Sequence, residues 1–157
     1  HFLESFPYLQ RGVVMVQAEV GERLAAPPGS KTYGAPSAKA AWYGRWWLAG
    51  TVSRQVFWPV PNVDSVLVAF ERAPEPRGTE DERRAAFRLV DAAFQQRRKM
   101  LRQALAGVLR ESAPDGGADS ISAADASALL ERAGVAPTAR GEELTIDDFA
   151  RIADSLR

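Results

Sequence analysis

The stretch DSVLVAFERAPEPRGTEDERRAAF, residues 64–87, separates two kinds of architecture within the chain. Its first part, from Val66 to Phe70, is a run of apolar and small residues that predicts a buried strand. Residues 73–78 then carry two prolines, which interrupt regular structure because proline lacks a backbone donor. Thr79 and Glu82 follow with the spacing of a capping box, which predicts the start of a helix. A sheet therefore ends where a helical region begins.

The residues upstream of this stretch favour further strands. Residues 13–16 are apolar without alternation, which is typical of a strand covered on both faces. The residues RWWLAGTV, 45–52, form a second candidate strand. Between these two strands we expect a short helix, a loop over residues 27–37 that is rich in proline and glycine, and another short helix. The residues HFLESFP, 1–7, indicate the end of a helix at Pro7.

The residues downstream favour helices throughout. Phe87, Val90 and Phe94 form the apolar stripe of the first helix, and a period of 3.6 residues predicts a second helix over residues 99–110. Residues 112–120 form a connector. Two further helices begin at Ser122, which has Asp125 at capping-box spacing, and at Thr145.

The predicted fold class is therefore α/β plus all-α. An α/β part occupies residues 1–72, a linker occupies residues 73–78, and a small helical domain occupies residues 79–157. The chain starts at His1 within a helical pattern and without an initiator Met, so we expect a fragment.

Composition excludes several classes of protein. The net charge is zero, so any affinity for nucleic acid must come from a local cluster of charge. The chain contains no cysteine, which excludes a disulfide framework and a thiol nucleophile and suits a cytoplasmic protein. No apolar run approaches the roughly 20 residues of a membrane span, so we expect no membrane partner.

The residues alone do not assemble a complete active site. Neither a glycine-rich dinucleotide motif nor a phosphate-binding loop is present. His1 is the single histidine and is interpreted as a helix residue at the start of the chain, so no second histidine is available to form a catalytic triad with Ser65 and Asp64. No cluster of histidine and acidic residues has the spacing of metal ligands, and we expect no metal.

The segment FWPVPNVDS, residues 57–65, is the first candidate site. Pro59 and Pro61 restrict the backbone and give a rigid entry into the following strand. A rigid entry fixes the direction of Phe57, and a fixed aromatic ring is a surface on which an extruded base can stack. The alternative is that Phe57 or Trp58 packs into the core beneath the loop, which is the commoner role of aromatic residues.

The segment QQRRKMLRQAL, residues 95–105, is the second candidate. It contains four cations, of which Arg98 and Arg102 are predicted to share a helix face because they are four positions apart. With the apolar stripe on another face, such a helix suits phosphate groups. The alternative is a solvated surface whose cations pair with Glu and Asp. The four cations are Arg97, Arg98, Lys99 and Arg102.

Four stretches, in order, resemble the ribosomal RNA adenine dimethyltransferases. MVQAEVGERLAAPPGSKTYGAPS resembles the strand, short helix and mobile loop of that family, and VFWPVPNVDSVLV resembles its F-x-P-x-P-x-V-D-S segment. AFQQRRKMLRQAL resembles its A-F-x-Q-R-R-K helix, and AGVAPTARGEELTIDDFARIA resembles its closing motif. The related antibiotic-resistance enzymes share the first two stretches. The resemblance covers most of the chain.

The resemblance implies a fold and an activity. The fold would be the C-terminal strands of a Rossmann-like S-adenosylmethionine-dependent methyltransferase sheet, followed by a helical rRNA-binding domain. The activity would be dimethylation of two adjacent adenosines near the 3′ end of 16S rRNA, with the small ribosomal subunit as partner.

The resemblance also implies roles for individual residues. Phe57 would stack on the target adenine. The cations that would face rRNA are Arg97, Arg98, Lys99, Arg102 and Arg140. The loop with Lys31 and Tyr33 would lie near the mouth of the active site and contact RNA.

The departures from the family concern catalysis. The family's cofactor-binding residues and its N-L-P-[YF] motif lie upstream of His1, so most of the S-adenosylmethionine site is expected outside this chain. The F-P-Y of residues 6–8 lacks the Asn, and we assign no catalytic role to Tyr8. We therefore expect that this chain alone does not methylate. The alternative function is a non-catalytic RNA-binding or ribosome-docking module of the same fold.

Overall fold

The computed structural model describes residues 2–111 and 122–156. His1 and the connector expected over residues 112–120 lie outside the described residues. The chain divides into two compact units, which are His1–Arg77 (unit 1) and Gly78–Arg157 (unit 2).

Unit 1 combines a small sheet with short helices. In chain order its elements are α1 (Phe2–Ser5), β1 (Arg11–Gln17), α2 (Ala18–Leu24), α3 (Ala35–Tyr43), β2 (Gly44–Val52), a 3₁₀ turn (Arg54–Val56) and β3 (Ser65–Arg72).

The sheet of unit 1 is antiparallel, with the order β1-β3-β2. Val68 of the central strand pairs with Val14 of β1 and with Leu48 of β2. The strand predicted at residues 13–16 is present, but its expected cover on both faces is not, because Val13 is 60% exposed and Met15 is 51% exposed. Within the described residues β1 has one neighbouring strand, so its outer edge and much of its apolar surface face solvent.

Helix α2 approaches the sheet closely at one glycine. Gly21 is buried, and a Cβ atom built there would lie 2.8 Å from Val68 Cγ2 and would overlap Val66 Cγ2. Glycine is needed because a side chain would push the helix off the strands. This contact fixes α2, and the loop after it, against the central strand.

Unit 2 is entirely helical within the described residues. Its elements are α4 (Glu80–Gln95), α5 (Leu101–Ala104), α6 (Ala106–Glu111), α7 (Ala123–Arg132), a 3₁₀ turn (Gly141–Glu143) and α8 (Ile146–Asp154). The core includes fully buried side chains from α4 to α8, namely Leu89, Val90, Leu101, Leu105, Leu109, Leu130, Phe149 and Ile152.

The predicted helix starts of unit 2 are confirmed. Thr79 accepts a hydrogen bond from the Glu82 N–H, and the Glu82 carboxylate accepts from the Thr79 N–H at 2.6 Å. Ser122 and Thr145 begin α7 and α8 with the same reciprocal bonds. These bonds satisfy donors that a helix leaves open at its first turn.

Two helical predictions need correction. The buried face of α4 includes Ala86, Leu89, Val90 and Ala93, whereas Phe87 and Phe94 of the predicted stripe are only half-buried. The single helix predicted over residues 99–110 is two short helices, which begin at Leu101 and Ala106. Leu105 closes the first helix in the αR conformation.

Candidate functional site

The loop before β3, residues 54–64, is closed at its base. Arg54 Nε lies 2.9 Å from Asp64 Oδ1, which joins the two ends of the loop by an ion pair. The Asp64 carbonyl accepts a hydrogen bond of 2.9 Å from the Ala18 N–H, which ties the same end to the start of α2. The sequence predicted a rigid entry into β3, but it did not indicate that Arg54 and Asp64 would pair.

The two aromatic residues of this loop differ in exposure. Trp58 is 94% exposed, so the alternative that it packs into the core is wrong. Phe57 is half-buried, and its N–H donates to the Arg54 carbonyl at 3.2 Å, which holds its backbone at the end of the 3₁₀ turn. The peptide between Trp58 and Pro59 is cis. The hydrogen bond from the Phe57 N–H therefore fixes the backbone of this residue within the loop.

The loop after α2 separates the two residues assigned to it. Its backbone turns twice, with the Ser30 N–H bonded to the Pro27 carbonyl and the Tyr33 N–H bonded to the Ser30 carbonyl. Lys31 is exposed, whereas Tyr33 is only 2% exposed and belongs to the core of unit 1. In this conformation the ammonium group of Lys31 is accessible to a ligand, and the phenol of Tyr33 is buried.

Tyr8, in the F-P-Y of residues 6–8, is 93% exposed. It takes no part in either candidate site.

The four cations predicted on one helix lie mostly on a turn. Helix α4 ends at Gln95, and Gln96 leaves the helical conformation with φ −121° and ψ 46°. Residues 96–100, named here the basic turn, contain Arg97, Arg98 and Lys99, all exposed. The helix face expected to be shared by Arg98 and Arg102 is therefore wrong, because Arg102 lies in α5 and Arg98 does not lie in a helix.

One cation of the basic turn is paired. Arg97 Nη2 donates to Glu142 Oε2 at 3.1 Å, which agrees, for this residue, with the alternative that the cations pair with acidic side chains. Within residues 2–111 and 122–156, neither Arg98 nor Lys99 has a carboxylate partner. No local signal in the sequence could reveal the pair, because its members are 45 positions apart.

Two hydrogen bonds join the start of α5, directly after the basic turn, to the segment of residues 137–142, named here the partner segment. The Leu101 N–H donates to the Ala139 carbonyl at 2.8 Å, and the Arg102 N–H donates to the Pro137 carbonyl at 3.3 Å. These two donors belong to the first turn of α5, where a helix has no internal acceptors. Arg140, which is exposed, follows Ala139 and is thereby brought beside the basic turn.

The basic turn forms one wall of an open depression of about 400 Å³. Phe94, Gln95 and Gln96 line it together with the three cations. A shallow cationic hollow next to a half-buried aromatic ring suits an exposed, extended anion such as a nucleic-acid backbone.

The described residues give no sign of two other kinds of site. Among them no three histidine or acidic side chains are grouped as metal ligands would be. None of the described helices has the length and hydropathy to cross a membrane.

Comparison with known proteins gives consistent matches. A family model described as ribosomal RNA adenine dimethylase matches residues 1–156. The ribosomal RNA small subunit methyltransferase A of Leifsonia xyli subsp. xyli is 61% identical over 153 residues, which cover 98% of this chain and 51% of that protein. The protein of the same name from Streptomyces coelicolor is 54% identical and covers 98% and 50%. The chain thus spans about half the length of these relatives.

Two solved structures share the fold. A dimethyladenosine transferase from Plasmodium falciparum gives a TM-score of 0.75 at 22% identity, over 92% of this chain and 56% of that chain. The 23S rRNA methyltransferase ErmE gives a TM-score of 0.61 at 19% identity, over 96% and 56%. The three-stranded sheet and the helices that follow it are therefore part of a methyltransferase fold, and by the match of its sequence the chain belongs to the ribosomal RNA adenine dimethylase family.

Proposed function

We propose that the protein to which this chain belongs is an S-adenosylmethionine-dependent rRNA adenine N6,N6-dimethyltransferase that acts on two adjacent adenosines near the 3′ end of 16S rRNA. The observation that carries the proposal is the family match over residues 1–156, supported by relatives that are more than half identical to the chain. The small ribosomal subunit is then the substrate, and the cytoplasm is the place of action.

In this proposal Phe57 holds the target adenine. An adenine amine is a poor nucleophile because its lone pair is delocalised into the ring, so the base must be oriented accurately towards the methyl donor. A ring stacked on the base supplies that orientation, and the Arg54–Asp64 ion pair keeps the loop that carries the ring closed. Bound S-adenosylmethionine would supply the methyl group.

The described residues do not themselves make a cofactor site. No described glycine-rich turn follows a strand and opens a helix, so nothing here resembles a cradle for the nucleoside of S-adenosylmethionine. We assign no step through the cofactor to these residues, and we expect residues 1–157 alone to give no methyl transfer.

Unit 2 would supply the contact with rRNA. Arg98, Lys99 and Arg140 are exposed, and Arg102 is half-buried beside them in α5. Cations that are gathered on one surface of a chain with zero net charge favour phosphate contacts over uniform solvation. Lys31 would add one contact from unit 1. Tyr33 would contact RNA only after its loop opens, because its side chain is buried in the present conformation.

The test is methyl transfer to small ribosomal subunits by the full-length protein. Phe57→Ala should lower kcat/KM by about tenfold to a hundredfold, because a base–aromatic stack contributes about 1–3 kcal/mol. Phe57→Tyr keeps a ring and should retain most of the activity. Equal activities of the alanine and tyrosine variants would contradict the role of Phe57. Absence of methyl transfer by the unaltered full-length protein would contradict the proposed function.

A second candidate function is a non-catalytic RNA-binding module. It is favoured by one observation, namely that the basic turn, Arg102 and Arg140 all belong to unit 2, whereas the loop that holds Phe57 belongs to unit 1. It predicts that the full-length protein binds the subunit without transferring methyl groups. The same assay, with binding measured in parallel, separates the two functions.

A further inference from the structure

The partner segment contacts the basic turn once and the start of α5 twice. Besides the two backbone hydrogen bonds from Leu101 and Arg102, the Arg97 side chain reaches Glu142. One contact thus lies near the beginning of the basic turn and two lie directly after its end, so the residues between them are tethered on both sides. Arg98 and Lys99 are two of those residues, and Met100 is the third.

The partner segment is itself held against α4. A Cβ atom at Gly141 would lie 2.8 Å from Ala93 Cβ, so the segment passes α4 without space for a side chain. The Glu143 N–H donates to the Arg140 carbonyl at 3.0 Å, which begins the 3₁₀ turn and fixes the direction of Glu142. Arg140 therefore lies between a residue bonded to the start of α5 and a residue paired with Arg97.

Arg97 is poorly placed to bind a phosphate group. Its guanidinium donates to the Glu142 carboxylate, whose negative charge offsets the attraction of that guanidinium for a phosphate group. The pair is about half exposed on the arginine side and a third exposed on the glutamate side, so it adds little to global stability. Its effect is local, because it joins the C-terminal end of α4 to the partner segment.

We propose that Arg97 is a positioning residue and not a phosphate ligand. Its ion pair with Glu142 fixes the basic turn to the partner segment, so that Arg98, Lys99 and Arg140 present one cationic surface to the phosphates of RNA. The inference rests on the proposed contact between unit 2 and rRNA, and it divides the basic turn into one structural cation and two binding cations.

The experiment measures the dissociation constant of the full chain for a short RNA hairpin, whose loop contains two adjacent adenosines, over a series of salt concentrations. Each phosphate contact adds about 0.7–0.9 to the slope of log K against log salt. Arg98→Gln and Lys99→Gln should each lower the slope by about that amount. Arg97→Gln should leave the slope unchanged and weaken binding at each salt concentration by about twofold to fivefold, which is the scale of an exposed ion pair.

The decisive variant exchanges the partners, as Arg97→Glu together with Glu142→Arg. It keeps the net charge and restores an ion pair, so the slope and the affinity should return close to those of the unaltered chain. A phosphate-binding Arg97 predicts the opposite, because the exchange would place a carboxylate where phosphate binds. Thermal unfolding of each variant by circular dichroism shows whether unit 2 is folded. Glu142→Gln serves if the exchange does not fold, because loss of the carboxylate should weaken binding if Arg97 is a positioning residue and should not weaken it if Arg97 binds phosphate.

The outcomes separate this inference from the proposed function. A loss of slope in Arg97→Gln equal to that in Arg98→Gln, or a failure of the exchange to restore binding, would overturn the role of Arg97 and leave the RNA surface intact. Unchanged slopes in Arg98→Gln and Lys99→Gln, or no binding by the unaltered chain, would overturn the RNA surface and the inference together.

Discussion

The two units of the chain bury their apolar residues to different degrees. In unit 1 the sheet leaves Val13, Met15 and Leu48 about half exposed, and Trp58 is almost fully exposed. In the described part of unit 2, Met100 is the one large apolar side chain that is exposed, at 39%. The difference follows from geometry, because a sheet has two faces and an edge to cover, whereas amphipathic helices can close around one another.

The largest effect that would test this comparison is expected in the core of unit 2. Phe149 in α8 is fully buried, and Phe149→Ala should lower the free energy of unfolding by about 3–5 kcal/mol through lost burial and a cavity. Val13→Ala, at a position 60% exposed, is the matched change in unit 1 and should cost less than about 1 kcal/mol. Urea unfolding followed by circular dichroism measures both. A loss of about 2 kcal/mol or more for Val13→Ala would mean that Val13 is covered in solution.

An intermediate effect is expected where unit 1 is closely packed. Gly21→Ala places a methyl group against Val66 and Val68 and should cost about 1–3 kcal/mol, since β-branched side chains have little freedom to move aside. Gly12→Ala is the control, because nothing lies within 4 Å of a Cβ atom at that glycine of β1. The measurement is the melting temperature of each variant. Equal melting temperatures for Gly21→Ala and Gly12→Ala would show that α2 is not closely packed against β3.

The smallest effect concerns the first turn of α4. Hydrogen bonds from Arg83, then from Arg84, lower the pKa of Glu80 from 4.5 to about 2. A carboxyl group whose pKa is lower in the folded state stabilises that state above pH 4.5, and the contribution is lost as the pH falls through about 2. The Glu80 side chain is about half exposed, so the effect should be slight. Between pH 5 and pH 2, the melting temperature of Glu80→Gln should therefore fall by less than that of the unaltered chain.

The control for Glu80 is the neighbouring acid Asp81, which has no arginine partner among the described residues. Asp81→Asn should leave the acid-induced loss of melting temperature close to that of the unaltered chain. An equal effect of the two substitutions would assign the pH dependence to the helix terminus in general rather than to the arginine pairs.

The sequence predicted the elements that local physics determines. The helix starts at Thr79, Ser122 and Thr145 were predicted correctly, and in the structure each carries a capping box between residues three positions apart. The three strands were likewise found from their apolar runs. The candidate loop at Phe57 was located by the restrictions that Pro59 and Pro61 place on their own backbone.

The sequence did not predict the features that depend on distant contacts. Arg97, Arg98 and Lys99 are ordinary helix formers, so nothing local indicated a break before Leu101. The break accompanies hydrogen bonds from α5 to the partner segment, which lies more than thirty positions downstream. Other features also depend on contacts that the local sequence does not show. These are the ion pairs Arg97–Glu142 and Arg54–Asp64 and the burial of Tyr33.

The topology of the sheet has a consequence for the order of events during synthesis. The central strand β3 is the last of the three in the chain, and both β1 and β2 pair with it and not with each other. The pair Arg11 and Glu71 is separated by 60 positions, so the first strand must wait for the last one to leave the ribosome. Closing that distance costs chain entropy before any pairing is gained. Unit 1 should therefore acquire its sheet in a single late step.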